Sequence, residues 1–92
     1  MFRKGDHGFQ VVCDNGYVVS VQFGFGNYCD NQHTHFGSQV DECATAEIAV
    51  LDGEGNFIQL GEYDDVVGYQ SVNDFVRILS AVSSGRISDL TR

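Results

Sequence analysis

The alternation of apolar and polar positions is sharpest in FQVVCDNGYVVSVQFGF, residues 9–25, where two runs rich in valine and aromatics flank Asn15-Gly16. Asn-Gly is a favoured pair at the centre of a type I′ turn, because both residues tolerate positive φ and the turn's twist matches the strands it joins. The pattern predicts a β-hairpin with strands at about 9–14 and 17–25. In the second run Tyr17, Val19, Val21, Phe23 and Phe25 share one side at period two, and Ser20, Gln22 and Gly24 share the other. The first set is expected to face the core. A second hairpin is predicted over 45–51 and 56–60, joined by the glycine-containing loop Asp52-Gly-Glu-Gly-Asn56, and 66–70 reads as a fifth strand or a connector.

The period changes after Ser71. Val72, Phe75, Val76, Leu79 and Val82 recur at spacings of three and four, which predicts one amphipathic helix over about 72–84. Ser71 is placed to cap its N-terminus, with Asp74 completing an acidic variant of the capping box, and Gly85 is placed to end it. The predicted fold class is α+β: a single domain spanning 1–92, with an antiparallel sheet of four or five strands built from two β-hairpins and one C-terminal helix packed on one face. Ninety-two residues suit one core, since two would each be too small to offset the entropy of ordering the chain. Eleven glycines and no proline fit the many turns of such a sheet.

Charge changes the picture more than composition does. Between Gly5 and Val76 there are twelve carboxylates and no lysine or arginine; the five basic residues are Arg3, Lys4, Arg77, Arg86 and Arg92, at the two ends. A field of one sign repels itself, favours solubility and attracts cationic partners. Arg86 and Arg92 fall at or beyond the helix C-terminus, where cations suit the dipole. The net charge of −8 argues against direct binding to duplex nucleic acid, and it argues with the lack of a long apolar run against a membrane. Three cysteines leave one unpaired in any intramolecular scheme, and MFRKGDHGF has no signal-peptide run, so a cytoplasmic, reducing setting is expected.

Candidate chemistry is sparse. Cys29, His33, His35 and Cys43 bring thiols and imidazoles into fifteen positions, a conceivable zinc set. Their C-x3-H-x-H-x7-C spacing matches no common zinc module, and the segment 26–44 reads more simply as a polar loop with incidentally buried thiols. Cys29 with His33 lacks an orienting third residue and an oxyanion hole, and Gly24-Phe25-Gly26 lacks the third glycine and the helix of a dinucleotide site. Asp52-Gly-Glu54-Gly-Asn56 has calcium-loop flavour without the EF-hand framework. A non-enzymatic protein with no cofactor is expected.

The acids carry more weight as a field. Asp52 with Glu54 and Glu62 with Asp64 stand in an i, i+2 relation, which on a strand is about 6.8 Å, near the phosphate spacing of one nucleic-acid strand. With Asp65 they form the expected contact set of a nucleic-acid-mimicking edge for a basic protein. Asn27, Tyr28, Asp30 and Asn31 offer donors and acceptors around an aromatic ring, a second candidate site suited to a small ligand such as a signalling nucleotide, although the same residues close turns on their own backbone. A third reading is a homo-oligomer formed through a free sheet edge or through Tyr63 and Tyr69.

The strings Asn15-Gly-Tyr-Val-Val-Ser-Val-Gln-Phe-Gly24, Gly26-Asn-Tyr-Cys-Asp-Asn31, Ala46-Glu-Ile-Ala-Val50 and Asp64-Asp-Val-Val-Gly-Tyr-Gln-Ser71 resemble a family of small uncharacterised proteins from tailed bacteriophages and related bacterial sequences. The resemblance covers roughly residues 9–82 and supplies no catalytic residues. It implies an accessory protein acting inside a bacterial host cell. By analogy with small acidic phage proteins, it implies an inhibitor of a cationic host protein, one that handles nucleic acid or serves in defence.

Overall fold

The computed structural model describes residues 1–24, 29, 42–60 and 65–90. Six strands form one antiparallel sheet: β1 (Phe2–Lys4), β2 (Gly8–Val12), β3 (Val18–Gln22), β4 (Ala46–Leu51), β5 (Phe57–Ile58) and β6 (Val66–Gln70). They are followed by α1 (Val72–Ser83) and a 3-10 turn at Ile87–Asp89. The α+β expectation and both hairpins hold. Three features differ from the pattern-based reading. An additional edge strand, β1, pairs with β2; β3, β4 and β5 are shorter than predicted and β2 runs from Gly8 to Val12, whereas 66–70 is a strand in full; and Phe25 lies outside the described residues.

Both hairpins close in the same way, and it is not by a type I′ turn. In the first, the Gly16 N–H donates to Cys13 O at 2.9 Å and the Cys13 N–H to Tyr17 O at 2.8 Å; in the second, Gly55 donates to Asp52 O at 3.1 Å and Asp52 to Asn56 O at 2.8 Å. Only the glycines, Gly16 at φ 90° and Gly55 at φ 87°, enter the left-handed region; Asn15 does not. This is the three-residue loop that ends in one left-handed residue and a bulge. One positive φ per turn is supplied by glycine without steric cost.

Asn15 has a different task. Its Oδ1 accepts from the Tyr17 N–H at 3.2 Å, and its Nδ2 donates to Val82 O at 2.9 Å, in the last turn of α1. The β2–β3 hairpin tip is thereby tied to the helix end. Asn15→Ala is expected to lower stability by about 1 kcal/mol, and Asn15→Asp by about 1–2 kcal/mol, since the carboxylate both loses the donor and faces the negative end of the helix dipole. Urea unfolding of the two variants checks the order.

β4 is central. One edge pairs with β3 through Val19↔Val50 and Val21↔Ile48. Its other edge is shared, with β5 opposite Val50 and Leu51 and β6 opposite Ala46, Ile48 and Ala49. Between Val67 and Gln70 the register slips by one residue, so Gly68 and Tyr69 together face Glu47. Tyr69 stands there at φ 53°, the only non-glycine in the left-handed region among the described residues, with 52% of its surface exposed. A bulge of this kind bends the strand and turns its exit, and the helix begins at Val72, three residues after Tyr69.

α1 lies on the face of the sheet that carries Val19, Val21, Ile48 and Val50, and the core comprises these four with Leu60, Ile78 and Val82. The expected N-terminal box is formed: Ser71 Oγ accepts from the Asp74 N–H at 3.2 Å and Asp74 Oδ2 from the Ser71 N–H at 2.9 Å. At the other end Gly85 (φ 77°) donates to Val82 O and Arg86 to Ala81 O, a Schellman closure. The buried stripe is rotated from the predicted one. Ile78, Ala81 and Val82 are buried and Phe75 and Leu79 pack against the core, whereas Val72 and Val76 are 69% and 55% exposed. The physical reason is that Phe75, Ile78, Leu79 and Val82 form an equally regular i, i+3, i+4, i+7 set with larger side chains.

Candidate functional site

The β4–β5 loop is built around one carboxylate. Asp52 Oδ1 accepts from the Glu54 N–H at 2.8 Å and the Asn56 N–H at 2.9 Å, and Oδ2 accepts from Asn56 Nδ2 at 3.3 Å. Hydrogen bonds from the Asn56 and Glu54 amides hold its pKa below the usual carboxylate range. These bonds favour its ionised form, and Asp52 is the loop's organiser. Glu54 sits exposed at the tip. The strand spacing of about 6.8 Å does not apply to this pair, because both residues lie beyond the end of β4, in the turn. Asp65 is exposed immediately before β6. Glu62 and Asp64 lie outside the described residues.

The fold also brings a cation to this loop. Arg3, on β1, lines a depression of about 380 Å³ on the sheet face opposite α1, together with Gln10, Val18, Leu51 and Asp52. No ion pair joins Arg3 to Asp52; the ion pair between described residues is Arg86–Asp89, at 3.5 Å and exposed. The segregation of charge along the sequence is thus partly undone in space. No sequence pattern flags this, since β1 is only three residues long and its partner in the depression is about fifty positions away.

The other sequence candidates fare unevenly. Asn27, Tyr28, Asp30, Asn31, His33 and His35 lie outside the described residues. Cys29 is buried, with its Sγ donating to Gly24 O at 3.8 Å, and Cys43 is half-buried; these and Cys13 are free thiols. Burial pushes the Cys13 thiol up from its ordinary value, which keeps it protonated and unreactive near neutrality. Among the described residues no three of His, Cys, Asp and Glu converge to hold a metal ion. Tyr69 is exposed at the bulge, whereas Tyr63 lies outside the described residues.

One site escaped the pattern reading. Where the N-terminal turn of α1 leaves the sheet, a cleft of about 360 Å³ opens, lined by Phe9, Val21, Phe23, Phe75, Val72 and Glu42, among others. The Phe9 and Phe75 rings meet edge to face, with centroids 6.1 Å apart and planes at 82°. Read by period alone, Phe9, Phe23 and Phe75 are simply core residues. The available signal was their position, since Phe23 directly follows β3, just before the glycine-rich segment, and Phe75 lies in the first turn of the helix. There the facing elements diverge. No helix of the described residues is long and apolar enough to cross a membrane. No protein-family model, curated protein or solved structure matches the chain.

Proposed function

We propose that this chain is a non-enzymatic binding protein of the tailed-phage type, which engages and inhibits a cationic host protein that handles nucleic acid or serves in defence. The observation that carries this reading is the β4–β5 loop. Three hydrogen bonds from its own loop orient the Asp52 carboxylate and favour its ionised form, and Glu54 stands at the exposed tip of the same turn. A rigid anionic projection costs little ordering entropy when it meets a basic surface, and charge complementarity raises the association rate. Asp65, with Glu62 and Asp64 in the adjoining segment, extends the contact set along the sequence.

The test is capture from extracts of the bacterial host over a salt series, with the captured protein identified and its affinity then measured. Neutralising Glu54, Glu62, Asp64 and Asp65 together, to Gln and Asn, is expected to weaken binding at least about ten-fold and to flatten its salt dependence. Asp52→Asn is kept as a separate variant because it alters the loop as well as the charge. A partner retained with unchanged affinity by the four-site variant would sink the proposal.

A small-ligand reading is favoured by one observation, the aromatic-lined cleft. Among the described residues its lining includes no lysine or arginine, so the phosphates of a signalling nucleotide would meet no cation from those side chains.

A further inference from the structure

We infer that Asn15 is a site of spontaneous deamidation, and that the tie between the β2–β3 hairpin tip and the end of α1 sets its rate and is lost in the product. Asn15 is the one asparagine of the chain that glycine follows. In such a pair the Gly16 backbone nitrogen attacks the Asn15 side-chain carbonyl carbon. The new N–C bond closes a cyclic imide, the Cγ–Nδ2 bond breaks, and ammonia leaves with the proton given up by the Gly16 N–H. Water then opens the ring at either carbonyl, which yields aspartate or isoaspartate. Glycine favours the attack because no Cβ shields its nitrogen, and Asn15 is exposed, so water reaches the ring.

The folded chain restrains both reacting groups. The nucleophile is engaged, since the Gly16 N–H donates to Cys13 O at 2.9 Å. The electrophile is held at both ends: Asn15 Oδ1 accepts from the Tyr17 N–H at 3.2 Å, and Nδ2 donates to Val82 O at 2.9 Å. Ring closure therefore requires the tip to open from the helix, and its rate follows the population of that open state. The product does not restore the tie. An aspartate has no donor for Val82 O, and its carboxylate faces the negative end of α1. Val82 O keeps its bond from the Gly85 N–H, so the closure of the helix outlasts the tie. Isoaspartate also adds a main-chain carbon at a tip that approaches the β4–β5 loop closely, where a Cβ on Gly53 would stand 3.7 Å from Gly16 O. Conversion is irreversible and leaves the hairpin tip released from the helix. The inference rests on Asn15, Gly16 and Val82 and is independent of the acidic contact set.

The experiment incubates the full chain at neutral pH and physiological temperature, folded and in guanidinium. Conversion is followed by peptide-mapping mass spectrometry, with enzymatic methylation to reveal isoaspartate. Asn15 is expected to convert before any other asparagine, and at least about five-fold more slowly in the folded chain than in the unfolded one, the factor that one net hydrogen bond supplies. Gly85→Ala strains the helix end, where Gly85 stands at φ 77°, without touching the Asn-Gly pair. It is expected to narrow that ratio while leaving the unfolded rate unchanged. The converted chain, separated by ion exchange, is expected to melt at a lower temperature and to lose hydrogen-exchange protection at Gly16 and Tyr17, while the Arg86 N–H, bonded to Ala81 O, keeps its own. Equal rates in the folded and unfolded chains, no conversion in either, earlier conversion at another asparagine, or a converted chain with unchanged melting and protection would overturn the proposal.

Discussion

Ile48→Ala is expected to destabilise the protein by about 2–5 kcal/mol, because it removes a large side chain from a site with no room to collapse. Ile48 has 0% of its surface exposed, is the largest fully buried side chain among the described residues, and stands on β4, where strands flank it on both edges. For a domain of this size the loss corresponds to a fall in melting temperature of roughly 10 °C or more. Val76→Ala is the informative contrast. A stripe running through Val76 would make it a core deletion, whereas at 55% exposure it is expected to change stability by no more than about 0.5 kcal/mol, with alanine's better helix propensity acting in its favour. Guanidinium unfolding of the two variants side by side decides which helix face is buried. Equal losses would place the helix in the rotation that the simple spacing suggests.

The second large effect is at a glycine. A Cβ on Gly8 would be driven into the backbone carbonyl of Val21, with the Gln22 Cα close behind. Those are backbone atoms of the paired strand, so no side chain can step aside. Gly8→Ala is expected to cost about 2–4 kcal/mol by forcing β2 and β3 apart. Gly5→Ala serves as the control, since its nearest neighbour would be the Gly8 carbonyl oxygen at an ordinary 3.5 Å. Thermal unfolding with both variants checks the difference. A Gly8→Ala protein as stable as the Gly5→Ala one would mean that the two strands are not held at this spacing.

What the chain's pattern revealed, and what it hid, follows from the range over which each determinant acts. The capping box at Ser71 and Asp74 and the closure at Gly85 are local, within five residues, and were legible. The identity of the inward-facing positions on β3 was legible too, because period two admits only one choice once Val19 and Val21 are taken as apolar. The helix face was not, since valines at Val72 and Val76 compete with Ile78 for the same stripe and only the docked sheet decides between them. The turn at Asn15-Gly16 was located correctly but misassigned in geometry. Asn15 is recruited by the Val82 carbonyl, a partner 67 residues away that no local rule anticipates. β1 was missed because a three-residue strand beginning at Phe2 is too short to show a period, and its pairing with β2 is what defines it.

The candidate sites divide along the same line. The acid loop was visible because a carboxylate that caps its own turn and the glycines beside it are neighbours in sequence. The cleft was not, for it is a gap among Phe9, Phe23 and Phe75, residues from three elements each of which looks complete by itself.

The shared edge of β4 has a consequence for how the sequence can change over time. β6 takes its alignment from Ala46, Ile48 and Ala49, while β5 takes its own from Val50 and Leu51. Each strand is registered on β4 and not on the other, so the count of residues between them does not set the ladder. Lengthening such a connection costs only a slowly growing closure entropy. A change in chain length between the two strands, where the sequence carries Glu62, Asp64 and Asp65, therefore does not by itself slip the sheet. A lineage under pressure to follow a changing partner could rewrite its acidic contacts there while its core stayed the same.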